Sequence, residues 1–168
     1  MIKVKVKQSD VDALLKEVKN FGNQVIQNTA PALDRAGDIT YGMIRSNIGT
    51  HSPWSITEVY GETWSPLSKN WILEKERKRA TMQMWAETGE IEATVRKDVS
   101  ANIVFVGISE SDSPDAYAHS ITNEFGYKRP LFTAVGNKIK ADIDKGSGEI
   151  NDLLKNIIIK AAKDVWGG

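Results

Sequence analysis

The residues that could do chemistry in this chain fall into a few charged clusters, each with a plainer alternative. Glu74-Lys75-Glu76-Arg77-Lys78-Arg79 places four bases within six residues, the composition of a nucleic-acid contact. On a helix those charges spread over more than half the circumference and two glutamates dilute them, so a solvated helix face is the better expectation. Glu87, Glu90 and Glu92 are close enough to suggest paired carboxylates. General acid–base work needs two carboxyls in one cleft with separated pKa values, whereas Glu90 and Glu92 are expected on the outer face of a strand. Glu110, Asp112 and Asp115 could hold a hard cation, but their spacing lacks the central glycine of the twelve-residue calcium loop. His119 has no ligand partner four residues on, His51 lies in an irregular stretch, and Gly-x-Ser-x-Gly is absent. Gly146-Ser147-Gly148 follows an expected helix and lacks a phosphate-loop lysine, which makes it a helix break.

Composition points the same way. The chain has 168 residues, 22 Lys+Arg against 22 Asp+Glu, two His, five Trp and no Cys. Its length suits a single domain over residues 1–168 with one core. The lack of Cys removes disulfides, thiolate zinc sites and a cysteine nucleophile. Balanced charge gives no global attraction to nucleic acid or an anionic membrane. Tryptophan is the residue most enriched where large surfaces meet. The expectation is therefore a non-enzymatic binding or assembly protein, with no cofactor, no metal and no membrane partner. Met1 to Lys7 alternates apolar and basic residues and has no apolar run for a signal peptide, while Ile157–Ala162 is far below the ~20 residues of a membrane span. A soluble protein made in a cytoplasm is expected.

The elements that must position these residues read as α+β. Residues 2–7 predict a short strand, Ile2, Val4 and Val6 on one face and lysines on the other. Ser9 reads as a helix N-cap, and Val11, Leu14, Leu15, Val18, Val25 and Ile26 form one apolar stripe. Pro31 suits the first turn of a second helix reaching about Asn47, or the kink of one long helix. Residues 49–65 show no sustained period and carry Trp54, Tyr60 and Trp64, so they predict an irregular arm, ordered alone or by a partner. A helix is expected from Ser65-Pro66 towards Ala80, and a strand pair over 91–97 and 102–108 with its turn at 98–102. Ser113-Pro114 should open a helix to about Glu124, Pro130 another to Asp144, and Glu149–Trp166 forms the last. The expected whole is a small antiparallel sheet packed with long N-terminal and C-terminal helices, plus the extended arm.

Two stretches together resemble a known group. The first is Trp64-Ser65-Pro66-Leu67-Ser68 with Trp71 and Lys75, then Met84-Trp85-Ala86-Glu87-Thr88-Gly89-Glu90-Ile91. The second is Tyr117-Ala118, Asn123-Glu124-Phe125-Gly126 and Arg129-Pro130-Leu131-Phe132. In this order they are similar to the tail-completion and virion-morphogenesis proteins of long-tailed bacteriophages, small neck or tail components. The chain departs from the group's "P-A-R-P-F" at Tyr127-Lys128, and its arm at 49–64 is unusually aromatic. The resemblance implies a structural virion protein at the neck or tail end, made in the host cytoplasm. It implies a homo-oligomer, a hexameric ring, meeting the tail terminator or tail tube protein and the head–tail connector. DNA would pass through such a ring without specific recognition; the alternative is a nucleic-acid-binding module using the basic helix 74–79.

The same residues have roles independent of that resemblance. Gly89 suits a tight strand entry with positive φ. Phe125-Gly126 reads as an apolar anchor and a terminal glycine closing a helix, and Arg129-Pro130 as the restart of the next. Trp64, Trp71 and Trp85, with Trp54, Tyr60, Pro66 and Leu67, are expected either in the core or as interface anchors.

Overall fold

One helix, α1 (Gln8–Arg45), runs unbroken through Pro31 in the computed structural model, which describes residues 8–80, 82–86, 89–100 and 103–167. Pro31 cannot donate to the carbonyl of Gln27, but both residues are exposed, so water can take that carbonyl. Ser9 lies inside the helix rather than capping it. The strand expected at 2–7 lies outside the described residues.

Two hairpins follow, not one sheet. β1 (Thr57–Val59) pairs antiparallel with β2 (Glu62–Trp64) through the two-residue turn Tyr60-Gly61. Both turn residues have positive φ, 51° and 85°, the geometry whose twist matches two antiparallel strands. The expected irregular arm is thus partly a hairpin, and it is folded inward: Val59 and Trp64 are buried. Its anchoring side chains outweigh the short strands' weak alternation. Helix α2 (Lys69–Lys78) begins later than expected, because Ser68, not Ser65, accepts from the N–H of Trp71 as N-cap.

The strand expected at 91–97 is also corrected. Residues Glu90–Thr94 form a helical turn, α3, and β3 begins only at Arg96. Ile91 and Val95 are both buried while Ala93 is exposed, a spacing of four that a helix satisfies and a strand does not. β3 (Arg96–Ser100) pairs with β4 (Ile103–Gly107) in a register that sets Ser100 opposite Ile103, so residues 98–100 belong to the strand and not to the turn expected at 98–102.

Helix α4 (Pro114–Ile121) starts as expected, Ser113 accepting from the N–H of Ala116 and Pro114 in the first turn. It passes into a π-helical turn over Thr122–Gly126. Helix α5 (Phe132–Asp144) starts two residues after Pro130, and α6 spans Glu149–Trp166 beyond the break at 146–148. Helices α1 and α6 run antiparallel: Arg35 pairs with Glu149 at 3.2 Å, while the Trp166 indole reaches Glu17 and stacks on Phe21.

The main core sits at the C-terminal end of α1. Ile44, Ile48, Val59, Trp64, Met84, Trp85, Ile91, Val95, Ile108, Leu131 and Val135 form one buried cluster. The β3–β4 hairpin crosses α1 at Gly37, where an added Cβ would lie 2.6 Å from both Lys97 Cδ and Val104 Cγ2. Lys97 cannot easily withdraw, since its ammonium is held by Asp34 at 2.6 Å and Asp38 at 2.5 Å. We therefore expect Gly37→Ala to destabilise by about 1–3 kcal/mol through overpacking, despite alanine's better helix propensity. Thermal unfolding of the variant checks this.

Candidate assembly site and the corner that builds it

The two stretches that carry the family resemblance meet at Arg129. Arg129 is only 4% exposed, yet among the described residues no carboxylate pairs with its guanidinium. Its Nε donates to the carbonyl of Ser65 and its Nη2 to that of Pro66, both at 2.9 Å. Among the described residues Nη1 has no hydrogen-bond partner, and the cation lies 5.4 Å from the ring centre of Tyr127. Burial holds the Arg129 pKa below its ordinary value, while Tyr127 opposes that shift.

Two tryptophans close the corner from the other side. The Trp85 indole N–H donates to the carbonyl of Arg129, and that of Trp64 to the carbonyl of Pro130, both at 3.1 Å. Trp64 is fully buried and Trp85 nearly so, which settles both as core residues. Trp85 sits at φ 59°, a left-handed backbone that a bulky residue adopts only when its surroundings hold it there. Its ring meets Phe132 edge-on at 5.6 Å. Leu67 is buried beside this corner. His51 packs edge-on to Trp64 at 5.2 Å with its Nε2 2.9 Å from Asn47 Oδ1, and burial lowers its pKa.

Glu124 completes the arrangement; it stands in the Asn123-Glu124-Phe125-Gly126 stretch quoted above, where no role was expected of it. The π-helical turn points its buried carboxylate at the start of α5, where it accepts from the N–H groups of Leu131, Phe132 and Thr133 at 2.7, 3.2 and 2.7 Å. It thereby fills the donors that a helix N-terminus leaves unpaired. Glu124→Gln presents one acceptor oxygen where two now serve, and we expect it to cost about 1–3 kcal/mol, measured by urea unfolding.

Other expected residues stand apart. Trp54 is 62% exposed and Phe125 71% exposed, so Phe125 is not the apolar anchor expected of it. Gly126 has no positive φ; Lys128 does, at 51°, and so makes the backbone reversal. Gly89 has the expected positive φ, 80°, but it opens α3 rather than a strand. Tyr60 takes a hydrogen bond from Asn47 at 3.3 Å, and Trp71 is half-buried, 5.9 Å from Tyr127.

Apart from Glu87, which lies outside the described residues, the charged clusters are structural or dispersed. Lys75 is buried and its ammonium donates to the carbonyls of Gln83 and Ala86, leaving the basic run without one of its four cations on the surface. Its position three residues after Ile72 was the available signal. Glu74 pairs with Arg77 and Lys78, which holds the Glu74 carboxyl below its usual range. Ser113 donates to Glu90, Glu92 pairs with Arg45, and Asp112 with Arg96. Among the described residues no group of three His, Asp or Glu gathers as a metal site, and no helix is long and apolar enough to cross a membrane.

What the surface does offer is apolar area. Phe105, Ile121 and Phe125 rim a cavity of about 260 Å³ between β4, α4 and α5. Leu14, Leu15, Val18 and Ile26 are more than half exposed along α1. Comparison of the chain with protein-family models, curated proteins and solved structures finds no match in any of the three.

Proposed function

We propose that this chain is a structural protein of a bacteriophage neck or tail end. In this reading it completes the tail and joins it to the head–tail connector as part of an oligomeric, hexameric ring. Its work is surface complementarity rather than catalysis. The observation that carries the reading is the convergence on Arg129. The tryptophan-proline turn at 64–67, the segment around Trp85 and the Arg129-Pro130 restart are far apart in sequence, yet they make one corner. That is what a shared motif set would do if it defined a family's frame. Exposed apolar side chains around Phe125 supply surface for neighbouring copies and for tail terminator, tube or connector proteins. Removing the gene from its phage tests this. The expected result is full heads and finished tails that do not join; normal infectious particles would refute it.

A further inference from the structure

Helix α1 carries more apolar surface than the other described residues cover. Val11, Leu15, Val18, Gly22, Val25 and Thr29 recur at alternating steps of four and three, the spacing of a seam between helices. Nearer the core the same stripe is partly enclosed: Leu33, Ala36 and Thr40 line a cavity of about 260 Å³ together with Val104, Ile139 and residues of α6. Towards the N-terminus the cover stops. α6 ends at Trp166 beside Glu17 and Phe21, so it takes one flank of α1 there, and residues 8–16 run past it. Leu14, Leu15 and Val18 are 58%, 62% and 53% exposed.

We propose that this uncovered half of α1 pairs with the same segment of a second copy, antiparallel, about a two-fold axis between residues 15 and 16. The charges select that occupant. Asp12 and Lys19 are seven residues apart and therefore share one edge of the seam, the edge that α6 leaves free. In the antiparallel pairing Asp12 of each copy lies opposite Lys19 of the other, and the two-fold repeats the pair. Among the described residues, a parallel pairing sets no opposite charges across this edge. The overlap spans residues 8–23, about 24 Å of helix at 1.5 Å per residue, with the two cores at opposite ends. The Trp166 termini of the two α6 helices flank the seam. The pairing needs nothing from the virion reading.

The chain has no Cys, so introduced cysteines report without background. We expect Asp12→Cys mixed with Lys19→Cys to give an oxidised heterodimer, while each alone gives little disulfide. A mixture that gives no more disulfide than either variant alone would show that the antiparallel pairing is absent, and overturns the proposal. Sedimentation equilibrium should find a dimer, and Leu15→Glu with Val18→Glu should return a monomer with unchanged helical circular dichroism. Asp12→Lys should weaken the dimer about 2- to 10-fold and Asp12→Lys with Lys19→Asp restore it. A wild-type monomer at ~100 µM, where a micromolar contact is saturated, also overturns it.

Discussion

Arg129→Met is expected to destabilise the protein by about 3–5 kcal/mol, the largest loss from any single charged side chain here. The methionine keeps much of the arginine stem, so little of the effect is a cavity. What disappears is the donor set: the carbonyls of Ser65 and Pro66 lose Nε and Nη2 and stay in a site from which water is excluded. Each buried acceptor left unpaired costs about 1–3 kcal/mol. Burying an unpaired cation is itself unfavourable, which offsets part of this loss. Arg129→Lys retains the charge but offers no planar fork to two carbonyls, so an intermediate loss is expected. For a chain of this size, 3 kcal/mol corresponds to a fall in Tm of about 6–12 °C. A Tm within a degree of wild type would mean the corner is not held by Arg129.

The second large effect belongs to the tryptophans. Trp64→Ala or Trp85→Ala should each cost about 3–5 kcal/mol, because a large buried ring is replaced by a cavity. Trp64→Phe separates the contributions: it keeps most of the packing but removes the N–H that serves the carbonyl of Pro130, a net loss of about 1–3 kcal/mol. Trp85 has an additional feature, its positive φ. Trp85→Gly should therefore be no worse than Trp85→Ala, although glycine normally adds chain entropy to the unfolded state. Because Trp85 and Arg129 share the Arg129 carbonyl and its corner, their losses should not add. A double-mutant cycle by urea unfolding should give a coupling of about 0.5–3 kcal/mol, and strict additivity would count against a cooperative corner.

Local signals explain which elements the sequence made legible. Ser113-Pro114 and the bounds of α6 could be read because a cap, a proline and an 18-residue apolar stripe act within one element. The β1–β2 hairpin was not legible: each strand has three residues, and its turn sets a tyrosine, not the usual Asn or Asp, before Gly61. Ile91 to Val95 alternates like a strand, yet burial selects only every fourth residue, which needs the packed partner to decide. The same limit applied to the site. Trp64, Trp85 and Arg129 could be singled out, but the inward direction of Arg129 depends on two carbonyls more than 60 residues away. The α1 stripe shows the converse: its period is the same over covered and uncovered turns, so sequence alone cannot say where the cover ends.

Electron cryo-microscopy of purified phage particles in which this chain carries a tag tests the central claim most directly. The proposed role predicts tagged density in a ring, six copies around the tail axis, between the connector and the uppermost tail-tube layer. Particles that are complete and infectious but lack the chain, or that carry it away from the neck and tail end, would contradict it.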